Sequence, residues 1–113
     1  MRVETHRTPD GHTGVIAAAG EVDLGDAPRL RKAFSDVLAA GCTRLVLDMR
    51  EVTFIDSTGL GVIVGAGKKA AGLHGELRIV CDDQRVLRLL AITGISRSLT
   101  VTATPEEALA GWE

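Results

Sequence analysis

Polar and apolar positions along this chain change their period several times, and those changes mark out its elements. Residues 2–7 are short and polar and predict an edge strand. Asp10-Gly11 marks a turn, and residues 13–19 (Thr-Gly-Val-Ile-Ala-Ala-Ala) predict a hairpin partner for the first segment. Gly20-Glu21-Val22-Asp23 alternates polar and apolar positions and ends on an acid. Asp26-Ala27-Pro28 reads as a helix start, with an acid at the N-cap and a proline in the first turn. Leu30, Phe34, Val37 and Leu38 then recur at helical spacing until Gly41 stops the helix. Residues 44–49 predict a buried strand and residues 57–70 a second helix. Residues 76–81 predict a further strand, followed by a helix capped by Asp82 or Asp83, carrying Val86, Leu89 and Leu90 and closed by Gly94. A last short strand falls on 98–102. Thr104-Pro105-Glu106-Glu107 fits a capping box, so a C-terminal helix is expected to run to about Gly111.

The resulting order, ββαβαβαβα, predicts an α/β fold. Strands alternating with helices call for a mixed, mostly parallel sheet of four to five strands with about four helices, opened by one antiparallel hairpin. The length of 113 residues fits one domain, residues 1–113, around one core. Aromatic residues make up only 3% of the chain, so Val, Leu, Ile and Ala must build that core. The net charge of −2 argues against nucleic acid as a partner, because binding phosphates needs a basic surface. No run of about 18 apolar residues occurs, so no membrane partner and a cytoplasmic location are expected. Cys42 and Cys81 lack metal-type spacing and read as free, reduced and structural, and neither a metal nor a cofactor is implied.

The candidate chemistry lies in residues 52–61, Val-Thr-Phe-Ile-Asp-Ser-Thr-Gly-Leu-Gly. Ser57 falls where a helix begins, so its hydroxyl is expected to be exposed at the positive end of the helix dipole. It can be a nucleophile, a cap or an acceptor of phosphate. A hydrolase elbow requires Gly-x-Ser-x-Gly, but Ile55 replaces the first glycine, and no framed histidine accompanies Ser57. No catalytic residues are assigned and the chain does not read as an enzyme. Gly59, Gly61 and Gly65 resemble part of a dinucleotide fingerprint, but this motif is expected to begin well after the preceding strand. A P-loop fails too, since five residues separate Gly61 from Gly67-Lys68 where four are required. Weak nucleotide binding stays as an alternative. Gly61 and Gly65 share one helical face, which predicts close packing on the sheet, close approach of a partner protein, or both.

The run 46–65 (Val-Leu-Asp-Met-Arg-Glu-Val-Thr-Phe-Ile-Asp-Ser-Thr-Gly-Leu-Gly-Val-Ile-Val-Gly) resembles the signature of STAS domains, in particular bacterial anti-sigma factor antagonists. Gly-Glu-Val-Asp-Leu at 20–24, followed by Ala-Pro-Arg-Leu at 27–30, resembles the second signature of that family. The resemblance implies a regulator that, when unphosphorylated, binds an anti-sigma factor of the GHKL serine-kinase type and so releases a sigma factor. It implies phosphorylation at Ser57, with Thr58 as the alternative acceptor, release of the partner, and restoration by a PP2C-type phosphatase. It places Asp23 and Asp56 on the recognition surface. Thr58, Gly59, Leu60 and Gly61 are expected to complete that surface, with Leu60 exposed and the two glycines admitting the partner. A STAS subunit of a larger signalling or transport assembly that is never phosphorylated is the other reading of the same resemblance. Phosphate at a helix start meets free N–H groups, so the fold is expected to tolerate it.

Overall fold

A computed structural model describes residues 1–112. The chain runs β1 (Arg2–Arg7), β2 (Thr13–Val22), α1 (Ala27–Ala39), β3 (Arg44–Ile55), α2 (Ser57–Gly72), β4 (Glu76–Val80), α3 (Gln84–Ile92), α4 (Ile95–Ser98), β5 (Thr100–Thr102) and α5 (Pro105–Leu109). Five strands form one sheet in sequential order, β1 antiparallel to β2 and the remaining pairs parallel. Each parallel crossover moves one strand in the same direction. Right-handed connections therefore put α1, α2 and α3 on one face of the sheet. Leu30, Phe34, Ile63, Ala66, Val86 and Leu90 from those helices meet Ile16, Leu45, Leu47, Leu77 and Ile79 in a single core. The other face carries α5, whose Ala108 packs with Val46 and Val80 beside Leu109 and Trp112.

β3 is longer than the 44–49 expected. Leu45, Leu47 and Met49 alternate onto the helical face, but the next core residues are Val52 and Ile55, three apart. Two register shifts against β2, between Ala17 and Ala19 and between Gly20 and Glu21, absorb the extra residues. Bulges of this kind break the two-residue period while keeping the strand paired, so periodicity alone ends the strand too early.

The sequence predicts about four helices; the fifth is the single turn α4. Gly94, at φ 81°, takes the left-handed conformation that ends α3 and restarts the chain. Four residues are too few to show a helical period, so Ile95–Ser98 read instead as loop and strand, and β5 begins at Thr100 rather than 98. α5 stops at Leu109, short of Gly111. Its Thr104 cap forms as expected, accepting the Glu107 N–H at 3.2 Å. Asp83, rather than Asp82, caps α3 by accepting from the N–H groups of Arg85 and Val86. Asp26 occupies the N-cap of α1 but makes no capping bond. Its backbone is already helical there, and its Oδ2 accepts the Asp23 N–H at 3.2 Å instead.

Candidate functional site

β2 and β3 are neighbouring parallel strands, so their C-terminal ends open onto the same edge of the molecule. Val22 pairs with Ile55, and the Asp56 N–H donates to Val22 O at 3.1 Å. Asp23 and Asp56, which follow those paired residues, are thereby brought side by side although 33 positions apart in the chain (56 − 23).

Asp56 is the N-cap of α2. Its extended backbone, φ −94° and ψ 179°, lets Oδ1 accept the Gly59 N–H at 3.0 Å, and its carbonyl accepts the Leu60 N–H at 3.0 Å. With the cap supplied by Asp56, Ser57 is left as the first helical residue. Its side chain is exposed and makes no hydrogen bond among the described residues. The Ser57 and Thr58 N–H groups point out of the helix start without a protein acceptor among the described residues. Thr58 is only half-exposed. Asp23 is exposed and its Oδ1 accepts the Gly25 N–H at 3.0 Å, which fixes the turn into α1. The adjoining Asp26 carboxyl is held below the usual carboxylate range, first by the Asp23 N–H and also by Arg29, against the opposing effect of burial.

The remaining expected surface residues divide. Leu60 is 8% exposed and belongs to the core, contrary to the expectation of an exposed contact, because α2 turns this position towards the sheet. Gly59 is also buried. A Cβ there would lie 2.8 Å from Ile55 Cγ1 and 3.0 Å from Val22 Cγ1. Its missing side chain serves the seating of α2 on the strand ends rather than the approach of a partner. This placement also bears on the dinucleotide motif. β3 ends only at Ile55, so the glycines do follow the strand closely, but Gly65, in the place of the glycine that such a fingerprint uses for close helix–strand packing, has open space around it instead. Gly61 and Gly65 are not packed on the sheet. A Cβ at either would meet nothing within 4 Å, and both border a shallow groove between α1 and α2 with Arg31 and Lys69 at its rim.

Two apolar residues join the site that the sequence did not single out. Leu24 is 70% exposed in the turn after Asp23, and Phe54 is 48% exposed on the last turns of pleat in β3. Phe54 lies opposite Glu21 across the two strands. A leucine inside an Asp-Leu-Gly turn, and one of only two phenylalanines in the chain, are signals that could have marked them. The assembled edge offers an unpartnered hydroxyl, two carboxylates already engaged with backbone N–H groups, and exposed apolar area.

Residues 3–108 match the STAS domain family. The chain belongs to that family. Among curated relatives, the anti-sigma-B factor antagonist of Listeria monocytogenes is 40% identical over 81 residues, covering 72% of this chain and 71% of that protein. The anti-sigma-B factor antagonist of Bacillus subtilis is 35% identical over 91 residues, covering 80% of this STAS chain and 83% of its own. Among solved structures, a candidate anti-sigma factor antagonist from Thermotoga maritima superposes with a TM-score of 0.86 at 26% identity, over 95% of this chain and 91% of that one. No helix among the described residues of this STAS domain is long and apolar enough to cross a membrane.

Proposed function

We propose that this STAS domain is an anti-sigma factor antagonist whose partner binding is switched by phosphorylation of Ser57. The observation that carries the reading is the exposed, unpartnered Ser57 hydroxyl at the first position of α2, beside Asp23 and Asp56. The names of the Listeria and Bacillus relatives support the coarser part, an anti-sigma factor as partner. In the finer part, the anti-sigma factor is a GHKL-type serine kinase. It transfers the γ-phosphoryl group of ATP to Ser57 Oγ, leaving ADP, and a PP2C-type phosphatase hydrolyses the phosphoserine. Asp23, Ser57, Thr58 and Gly61, together with Leu24 and Phe54, form the contact surface. Asp56 and Gly59 act beneath it, one as the cap and one as the seat of the helix.

The physics of the switch is local. Phosphate adds about −1.5 to −2 charge at neutral pH. The free N–H groups and dipole of α2 accommodate it, so the fold stays unchanged. A partner pressed against the same edge instead meets added charge beside two carboxylates, with a desolvation cost. A loss of about 3 kcal/mol weakens binding more than about 100-fold. The test is intact-mass measurement after incubation with the anti-sigma kinase and ATP, with the modified peptide sequenced. Wild type is expected to gain one phosphate on Ser57. Ser57→Ala is expected to gain none and to bind the kinase persistently, and Ser57→Asp to fold and bind poorly. Full phosphorylation of Ser57→Ala would reassign the acceptor, with Thr58 the first residue to examine.

A further inference from the structure

The second half of α2 walls a cleft that the switch at Ser57 does not use. The cleft has a volume of about 430 Å³, within the range of about 300–1,000 Å³ typical of small-molecule sites. Its other walls are the start of β4 and the turn from α3 through α4. Val64, Leu77, Ile95 and Leu99 give it an apolar lining. Two glycines shape it. Gly67 lets Leu99 lie against α2, where a Cβ would sit 3.0 Å from Leu99 Cδ2. Gly94 turns the chain so that Ile95 is buried while Ser98 stays exposed at the edge.

The charges around this apolar lining are unequal. Lys68 stands exposed at the rim and has no ion-pair partner among the described residues. Glu76 is the acid in the wall, but its carboxylate is already held by Arg78 Nε at 3.2 Å and by the Thr100 hydroxyl at 3.3 Å. Lys68 is thus the charge at the rim left for an incoming group, beside the unbonded Ser98 hydroxyl.

We propose that this cleft binds a small amphiphile with an apolar body and a single carboxylate head. The body lies on Val64, Leu77 and Leu99, and the head pairs with Lys68 Nζ and accepts from Ser98. Complementarity sets the class: an apolar body matches the lining, and an anion matches Lys68, with the Arg97 guanidinium, also without an ion pair among the described residues, lying against Gly94 of the same wall. A cationic amphiphile of equal length would bring two positive charges together. The assignment stands independently of the reading of Ser57, because no residue of that edge takes part.

The experiment titrates the full chain with octanoate, 1-octanol and octylammonium below their aggregation limits, following the methyl resonances of Val64, Leu77, Ile95 and Leu99. Octanoate is expected to give saturable shifts confined to those methyls, and octylammonium none. Lys68→Gln is expected to weaken octanoate about two- to fivefold, as befits an exposed ion pair, and to leave 1-octanol unchanged. Ala71→Phe places a ring in the cleft from an exposed position, so it is expected to keep the native spectrum elsewhere and to abolish binding. Absence of saturation, equal binding of octylammonium, or undiminished binding by Ala71→Phe would each overturn the proposal.

Discussion

Two glycines at the start of α2, two positions apart, differ in what a methyl group would meet. At Gly59 a Cβ collides with Ile55 and Val22. Gly59→Ala is therefore expected to destabilise the fold by about 1–3 kcal/mol through overpacking. At Gly61 the space is open, so Gly61→Ala is expected to stabilise it by up to about 1 kcal/mol, the helix propensity gained. Urea denaturation of the two variants checks both signs. Because Gly61 lies one turn beyond Ser57 on the outward side of α2, the same stabilised variant also separates fold from binding. Weaker anti-sigma binding by a more stable protein would show that the partner approaches the helix closely there. The sequence correctly put Gly61 and Gly65 on one face. It could not say which way that face pointed, because a helical period fixes relative angles and not the side on which the sheet lies. Leu60 was misplaced for the same reason.

At the scale of elements, α2 and α3 both begin on an aspartate that accepts backbone N–H groups. Asp56→Ala removes the α2 cap and is expected to cost about 1 kcal/mol, measured as a lowered urea midpoint. Ser57→Ala removes no cap and is expected to leave the midpoint unchanged, which distinguishes a structural from a signalling serine at neighbouring positions. Asp83 carries a pH signature. Hydrogen bonds from the Arg85 side chain, and then from the Arg85 and Val86 N–H groups, hold its carboxyl below the usual range. Asp48 is shifted the same way: burial raises its pKa, but the hydrogen bonds and charge of Arg50 outweigh that effect. A group whose folded pKa is depressed contributes stability that is full above its unfolded pKa and is lost as pH falls through the folded value. Stability is therefore expected to fall as pH drops below the ordinary carboxylate range, and Asp83→Asn is expected to flatten that slope in urea titrations run at several pH values. Caps depend on a residue and the one to three positions after it, so the sequence located them to within a residue: Thr104 as expected, Asp83 from the pair Asp82 or Asp83, and Asp56 where the sequence offered Ser57, while Asp26 makes no capping bond. The far half of β3 was not legible, because its bulges are defined only against β2.

The whole molecule is closed by its C-terminal segment. Arg78 Nη1 donates to the carbonyls of Ala108 and Ala110, each at 2.8 Å, and its guanidinium lies 3.8 Å from the centre of the Trp112 ring. Arg44 donates to Trp112 O at 3.1 Å. Two arginines reaching from β3 and β4 thus pin α5 over the face opposite the three crossover helices. Arg78→Ala is expected to cost about 2 kcal/mol from lost charge-assisted hydrogen bonds and cation–π contact. It is also expected to shift the emission of Trp112, the chain's single tryptophan, to longer wavelength. Arg78→Lys keeps the charge but not the fork, so it should recover only part of both effects. The α/β class, the opening hairpin and the mostly parallel sheet were predictable, because they follow from the order of elements and the handedness of their connections. The latch was not, since it joins β3 and β4 to a tail about thirty to seventy residues further on.

The sequence by itself determined most of the elements, α4 and the far half of β3 excepted, where most helices begin and end, and that Ser57 opens a helix. These features depend on neighbours within a few positions, and spacing and capping chemistry record them directly. Only the tertiary structure decided that Asp23 and Asp56 follow residues paired between β2 and β3, that Leu24 and Phe54 stay exposed, and that Leu60 and Gly59 turn inward. Those outcomes depend on the register between β2 and β3 and on the side from which α2 packs against them. Register is a relation between distant segments, and no single segment carries it.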